Sequence, residues 1–312
     1  MRRSLVPLLL LVVALVAAGC GKDGSRSDAA APGGQQAAFP VTIDASGGKL
    51  VLARQPQRIV SMSPTATEML FAIGAGGQVV AVDSNSNYPA EAPKTELSAY
   101  QPNIEAIAGY KPDLVVYSDD PGELKAGLDK LSIPALKQPA ATRLEDTYAQ
   151  LDQLGKTTGH VDEAGQLAAT MRTEIEKIAA ADRPERPLTY YHELDKNLYS
   201  ATSKTFIGQL YDQLGMKNIA DAADKQASGY PQLSAEYVIK ADPDLIFLAD
   251  TKCCAQSAKT VAARDGWDKL TAVRTGGVVE LDDDVASRWG PRVVDFLKVV
   301  AAKVQALEAV GS

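Results

Sequence analysis

Two stretches, NIEAIAGYKPDLVVYSD at residues 103–119 and SAEYVIKADPDLIFLAD at residues 234–250, decide the predicted fold. They align at a constant offset of 131 residues, so that Asp113 matches Asp244. Each copy begins with a residue that can cap a helix, continues through a Pro-Asp turn and ends in an apolar run typical of a buried strand. The repeat predicts two lobes of similar build, with a cleft beyond the strand ends.

Short apolar runs alternate with helical patterns on both sides of the repeat. The predicted strands lie at 58–62, 78–82, 113–117 and 134–137 in the first half and at 188–191, 244–249 and 278–281 in the second. Strands that alternate with helices indicate βαβ units and parallel sheets. The predicted fold class is therefore α/β, with two α/β lobes that contain mainly parallel sheets.

A helical pattern joins the two halves. It breaks at Gly155 to Gly159, and its second part runs from Val161 to Ala181, which is about 32 Å at 1.5 Å per residue. We predict one long interlobe helix; the alternative is that this helix packs on one lobe only. The predicted segments are a signal peptide at 1–19, a flexible tether at 20–38, an N-terminal lobe at 39–155, a linking helix at 156–183 and a C-terminal lobe at 184–312.

The composition is that of a mildly acidic globular protein, with 46% hydrophobic and 23% charged residues and a net charge of −7. A protein that binds a phosphate backbone needs clustered positive charge, so this balance argues against a nucleic-acid partner. Three cysteines are too few for a disulfide scaffold, and two histidines leave little material for a zinc site.

The N-terminus has the pattern of a bacterial lipoprotein signal. Arg2 and Arg3 precede an apolar run from Leu5 to Ala18, which is short for a membrane span and ends in small residues before Cys20. In such signals the cysteine is acylated and becomes the mature N-terminus, so Cys20 is the predicted lipidation site. The alternative is an ordinary secretory signal. The predicted location is the outer face of the cytoplasmic membrane, which is periplasmic where an outer membrane is present.

Six short motifs occur in a characteristic order: SMSP at 61–64, TE at 67–68, SNYP at 86–89, IE at 104–105, KPDLV at 111–115 and GPR at 290–292. Together they resemble the substrate-binding proteins of ABC importers for ferric siderophores, haem and cobalamin, across nearly all of residues 40–308. The resemblance implies two lobes bridged by one long helix, with little hinge motion. It also implies a monomeric protein that is no enzyme, holds no intrinsic cofactor and delivers a metal chelate, a ferric siderophore or a corrinoid, to an ABC permease dimer and its ATPase subunits.

Glu105 and Glu236 lie in the first turns of the two repeated helices. A glutamate there interacts favourably with the helix dipole, by about 0.3–1 kcal/mol, and this local explanation suffices from the residues alone. Docking onto basic sockets of a two-fold partner is the equal alternative. The resemblance favours docking, because in that family one glutamate from each lobe meets arginines on the permease.

Tyrosine dominates the aromatic residues, with 11 Tyr against 5 Phe and 2 Trp. Its flat apolar face and polar tip suit a large, partly polar chelate. Similarity to cobalamin-binding members implies ligand contacts at Tyr88, Tyr100 and Tyr230, whereas Tyr117 and Tyr199 are candidates from their placement in loops or at strand ends. The alternative for each is a half-buried surface ring.

Arg288 and Trp289 complete the predicted ligand site. The resemblance implies that Arg288 is a cleft arginine, which would meet anionic ligand oxygens through paired hydrogen bonds, and Trp289 could stack on a ring system. The alternative is that Arg288 only neutralises the aspartates at 282–284. Ser63, at a predicted helix start, either helps to place backbone donors near an anion or simply caps the helix.

Other functional classes stay open as alternatives. Cys253 and Cys254 lie in a predicted loop, where an extracellular setting permits a vicinal disulfide, and no metal site is predicted there. Free-metal capture is disfavoured because only His160 and His192 are available as histidine ligands. Haem is an alternative cargo because Tyr100 lies where haem-binding relatives place a ligating tyrosine. An extracellular enzyme is the last alternative. Gly-x-Ser-x-Gly and P-loop motifs are absent, so such an enzyme would depend on acid–base catalysis by carboxylates.

Overall fold

The computed structural model describes residues 39–311, so the predicted signal peptide, tether and Cys20 lie outside the described residues. The described chain begins with an antiparallel hairpin of β1 (Val41–Ala45) and β2 (Gly48–Leu52). Two four-stranded parallel sheets follow, one in each half of the chain. The predicted α/β class with two lobes and parallel sheets is confirmed.

The N-terminal lobe is built on the sheet β4-β3-β5-β6, in which every strand pair is parallel. Its elements are β3 (Ile59–Met62), α1 (Pro64–Ala72), β4 (Val79–Val82), α2 (Ile104–Gly109), β5 (Leu114–Tyr117), α3 (Leu124–Lys130) and β6 (Ala135–Lys137). The central strands β3 and β5 are buried at every residue, as expected where helices cover both faces of a parallel sheet.

Two helices, α4 (Leu144–Thr158) and α5 (Val161–Ala181), connect the lobes. The bounds of α5 are those predicted from the sequence. The break predicted at Gly155 to Gly159 lies at the second of these glycines. The helix α4 runs through Gly155, where a Cβ would lie 2.6 Å from the Ala164 Cβ, so this glycine allows α4 and α5 to pack closely. The chain turns at Gly159, whose φ of 84° is left-handed and ends α4.

The C-terminal lobe is built on the parallel sheet β10-β9-β7-β8. Its elements are β7 (Thr189–Glu193), α6 (Phe206–Gln213), β8 (Lys217–Asn218), α7 (Ala235–Ala241), β9 (Leu245–Leu248), α8 (Thr251–Cys254), α9 (Ala258–Ala262), α10 (Thr271–Arg274), β10 (Val278–Glu280), α11 (Asp283–Ser287) and α12 (Val293–Gly311). The cysteine pair thus lies in the short helix α8 rather than in the predicted loop, and Cys253 and Cys254 form a vicinal disulfide.

The two Pro-Asp turns of the repeat have the same structural role. Asp113 precedes β5, and its carboxylate accepts from the backbone N–H of Arg58, just before β3, at 2.8 Å. Asp244 precedes β9, and its carboxylate accepts from the backbone N–H of Thr189, the first residue of β7, also at 2.8 Å. Each aspartate therefore joins the amino ends of two neighbouring parallel strands. This shared role explains why both copies of the repeat carry an aspartate at this position.

The described residues contain no helix with both the length and the apolar character required to cross a membrane.

Candidate functional site

A cavity of about 540 Å³ lies where the two lobes meet. The N-terminal wall follows the carboxyl ends of β3, β4 and β5, and the C-terminal wall is formed by α11 and the two residues after it. The lining residues are Met62, Ser63, Pro64, Thr65, Asp83, Asn85, Ala99, Tyr100, Ser118, Asp119, Pro121, Ala140, Asp284, Ser287, Arg288 and Trp289. Ligands of open α/β sheets bind beyond the carboxyl ends of the strands, and the cavity has the volume of a small-molecule site.

A buried hydroxyl network shapes the N-terminal wall and accounts for three of the sequence motifs. The Thr67 hydroxyl lies 2.9 Å from both the Ser61 and the Ser86 hydroxyls, which joins β3, α1 and the loop after β4. Ser86 donates to Asp83 at 2.5 Å, and burial raises the pKa of Asp83 above its ordinary range. Ser63 caps α1 by accepting from the backbone N–H of Ala66, so the capping explanation suffices for Ser63.

A buried cluster of charged side chains joins the lobes beside the cavity. Glu68 of α1, with 1% of its side chain exposed, accepts from Arg288 at 2.7 Å and from Arg292 at 2.5 and 2.9 Å. Arg288 also donates to the carboxylate of Asp284 at 2.8 Å and to the backbone oxygen of Asn85 at 3.0 Å. Glu68 was not foreseen as an interlobe contact, because its partners lie 220 residues or more away in the chain.

Arg288 and Trp289 line the cavity as predicted, but their polar groups already form hydrogen bonds with other residues of the chain. Arg288 is only 8% exposed and contacts two carboxylates, so its contacts favour the alternative of charge neutralisation, with Glu68 as an unforeseen partner. The Trp289 indole N–H donates to the Gln150 side chain at 2.9 Å, while the Trp289 backbone oxygen accepts from the Thr147 hydroxyl. These bonds tie the C-terminal wall to α4.

Four of the five predicted tyrosines are exposed, with between 41% and 78% of their surface in contact with solvent. Tyr100 is the most exposed and lines the cavity. Tyr88 lies under the guanidinium of Arg292, 4.3 Å from the ring centroid. Tyr199 and Tyr230 belong to two neighbouring loops of the C-terminal lobe, which are joined by a bridge between Tyr199 and Gln232, and neither lines the cavity.

Tyr117 is placed differently from its prediction as a ligand contact. It is the last residue of β5, yet it is 1% exposed and belongs to the core of the N-terminal lobe. Burial raises the pKa of Tyr117 to about 12. The alternation of side chains along the strand directs this ring into the core, while Ser118, the next residue, lines the cavity.

Glu105 and Glu236 are both exposed in the first turns of α2 and α7. Asn103 caps α2 and Ser234 caps α7, so the two helix starts have the same construction. The pKa of Glu236 is lowered because its own backbone N–H and the Ser234 hydroxyl donate to the carboxylate. Both side chains are therefore open to contact with a basic partner.

A second buried network lies at the carboxyl edge of the C-terminal sheet. Glu193, at the end of β7, forms a two-point ion pair with Arg264. Asp250, after β9, is fully buried and has no hydrogen-bond partner for either carboxylate oxygen among the described residues. Burial, reinforced by the charge of Glu193, raises the pKa of Asp250 to about 7. In the sequence, Asp250 is recognisable only as the repeat partner of Asp119.

The histidines are not arranged as metal ligands. His192 is buried, its Nδ1 lies 2.9 Å from the Tyr211 hydroxyl, and burial lowers its pKa to about 4. His160 lies between α4 and α5, 3.9 Å from Glu163. Within residues 39–311, no group of three or more His, Cys, Asp or Glu side chains could hold a metal ion.

Comparison with known proteins places this architecture among transport proteins. Residues 59–285 match the family described as "Periplasmic binding protein". The chain is 30% identical to an uncharacterized ABC transporter substrate-binding lipoprotein, YvrC of Bacillus subtilis, over 97% of both chains. It is 32% identical to a cobalamin-binding protein of Halobacterium salinarum, over 82% of this chain and 72% of that protein.

A similar solved structure is that of a possible iron-binding, periplasmic solute-binding protein from Staphylococcus epidermidis. The TM-score is 0.69 at 25% identity, covering 80% of this chain and 99% of that one.

Proposed function

Because this chain belongs to the periplasmic binding protein family, and its relatives include substrate-binding proteins of ABC transporters, we propose that it captures a metal chelate and delivers it to an ABC permease. The cargo is a corrinoid or a ferric siderophore. The cobalamin-binding relative from Halobacterium salinarum supports a corrinoid, and the possible iron-binding protein from Staphylococcus epidermidis supports a ferric chelate.

The cavity at the carboxyl ends of the N-terminal strands, closed on its other side by α11 and Arg288, is the observation that carries this proposal. Tyr100 offers an exposed aromatic face at this cavity, and Tyr88, Tyr199 and Tyr230 offer further exposed rings in loops of both lobes. Large rings that stay exposed forfeit the stability gained by burial, so this set is better explained by contact with a ligand than by folding.

Rigid capture follows from the contacts between the lobes. Glu68 holds Arg288 and Arg292 from the other lobe, and Trp289 is bonded to α4. Breaking such buried contacts is costly, which opposes a wide hinge opening. In this proposal the cargo enters a preformed cleft, and Arg288 exchanges part of its contact with Asp284 for anionic oxygens of the chelate.

Delivery uses the two repeated helices. Glu105 and Glu236 each stand at the start of a capped, exposed helix, so the loaded protein presents one carboxylate from each lobe to arginines of a dimeric permease. Separate ATPase subunits supply the energy. Acylation of Cys20 would hold the protein at the outer face of the cytoplasmic membrane, which is supported by the lipoprotein name of the Bacillus relative.

Ligand binding is tested by titrating the purified chain with cyanocobalamin, a ferric trihydroxamate, a ferric tris-catecholate and haemin. The signal is tryptophan fluorescence, since Trp289 lines the cavity and the second tryptophan, Trp267, is buried in the C-terminal lobe. We expect saturable quenching by at least one chelate, with co-elution of the coloured complex from a gel-filtration column. If none of the four is retained, the proposed cargo class is wrong.

Docking is tested separately with the double variant Glu105→Ala and Glu236→Ala. We expect unchanged affinity for the chelate, because neither residue lines the cavity, and at least a tenfold loss of uptake into cells or proteoliposomes that carry the permease. The matched control is Glu163→Ala with Glu176→Ala, two exposed glutamates of α5. Normal transport by the first variant would refute the docking proposal.

A further inference from the structure

The vicinal disulfide of α8 has no role in the capture or docking described above, yet it lies at the cleft edge of its sheet. In the order β10-β9-β7, the strand β9 that precedes α8 is the middle one. The segment after β10 carries Arg288, and the loop after β7 carries the exposed Tyr199. Cys253 and Cys254 therefore follow β9, which lies between β10 and β7, and the segments after both of those strands are proposed to contact the ligand.

The internal repeat gives the same placement independently. At the offset of 131 residues, Asp250 matches Asp119, and Lys252 matches Pro121. Asp119 and Pro121 both line the cavity on the N-terminal side. The turn after β5 forms a cavity wall, and α8 is its counterpart after β9. The disulfide thus follows directly on the position equivalent to Pro121, and neither cysteine is among the residues that line the cavity.

The surrounding contacts fix α8 to α11, whose Asp284 lines the cavity. The backbone N–H groups of Thr251, Lys252 and Cys253 donate to the carboxylate of Asp283 at 2.8, 2.9 and 3.0 Å. The Lys252 amine contacts Asp284, which itself lines the cavity, at 2.8 Å. Cys253 stays exposed despite this frame. Its side chain is consequently presented to solvent by a preorganised helix, next to a residue that contacts the cavity wall.

We propose that the Cys253–Cys254 disulfide is a binding surface for the planar conjugated ring of the bound chelate. The inference rests on the proposed function and adds to it a chemical class of cargo. A disulfide has no N–H or O–H donor, and sulfur is polarisable and makes favourable contacts with aromatic rings. Corrin, porphyrin and catecholate ligands all present a conjugated ring that could make such a contact with sulfur. Hydroxamate chelates have no such ring.

The test compares the wild-type chain with the double variant Cys253→Ser and Cys254→Ser. Cyanocobalamin, haemin, a ferric tris-catecholate and a ferric trihydroxamate are the probes. For the ring-bearing probe that the wild type binds, we expect the variant to bind about 3- to 10-fold more weakly, from the size of a sulfur–aromatic contact. Val299→Ser, at an exposed apolar position of α12, is the matched control and leaves affinity unchanged.

A second measurement needs no variant. Hydrogen exchange of a peptide that covers residues 250–256 of the wild type should slow severalfold when the ring-bearing probe is added. Unchanged exchange, or unchanged affinity in a folded double variant, overturns the disulfide surface and leaves the proposed function intact. Binding of the trihydroxamate alone also overturns it. If no probe binds, the proposed function fails and this inference fails with it.

Discussion

Replacing Glu68 by glutamine tests whether the buried charged cluster holds the lobes together. The substitution Glu68→Gln keeps the size of the side chain and one acceptor oxygen, but removes the negative charge shared by Arg288 and Arg292. Both guanidinium groups are largely buried, with 8% and 16% of their side chains exposed. They have little water available to replace the lost carboxylate.

The expected loss of stability follows from these contacts. Removing one partner of a buried ion pair costs about 3–5 kcal/mol, because the other charge is left buried and uncompensated. Arg288 keeps its 2.8 Å contact with Asp284, and the introduced amide retains an acceptor oxygen. We therefore expect a loss near the lower end, about 3 kcal/mol. At about 2–4 °C per kcal/mol for a protein of this size, the melting temperature falls by roughly 6–12 °C.

Differential scanning calorimetry and urea unfolding at neutral pH measure the effect. The matched control is Glu176→Gln, which makes the same charge change at an exposed position of α5 and should leave the melting temperature unchanged. If the Glu68→Gln variant melts within about 2 °C of the wild type, the substitution lowers the free energy of unfolding by less than about 1 kcal/mol, and the cluster does not stabilise the interlobe contact. The rigidity of the cleft would then need another cause.

The remaining predictions concern the tyrosines and one buried acid. Tyr100→Ala should weaken binding of the captured chelate about tenfold, as expected for loss of an aromatic contact, whereas Tyr117→Phe, in the core, should leave affinity unchanged in the same titration. Burial raises the pKa of Asp250 to about 7, so the folded chain holds this proton more tightly than the unfolded chain and stability falls as the pH rises from about 4 through about 7. Asp250→Asn should reduce the loss of melting temperature between about pH 5 and pH 8; parallel pH profiles of variant and wild type would contradict this.

The fold was largely predictable because it follows from local sequence periodicity. The apolar runs gave seven of the parallel strands to within two residues at each end, and the helical pattern gave α5 with its observed bounds. The hairpin of β1 and β2 was missed, although Ser46-Gly47 between two alternating stretches is a hairpin signal. The helix break predicted at Gly155 to Gly159 occurs at Gly159, and the sequence could not separate the two glycines because one that permits close helix packing looks like a helix breaker.

The site was less predictable because its geometry depends on contacts between distant residues. The position of Tyr117 at a strand end was foreseen, but which face of the sheet it takes depends on strand register. The resemblance implied a cleft arginine at Arg288, which lines the cavity, while its partner Glu68 was not foreseen, because nothing local links residues in different lobes. Asp250 shows the same limit: the repeat located it, and only the packing around β9 reveals its burial.

The chain passes from the first sheet to the second through α4 and α5. The residues from β7 onward therefore contain the whole C-terminal contribution to the cavity, together with Glu236 and the disulfide. A recombination event between α5 and β7 would exchange that contribution in one step and so create a hybrid protein with a new C-terminal lobe. Such a hybrid would have to keep Arg288, Arg292 and Trp289, since Glu68 and Gln150 of the retained half depend on them.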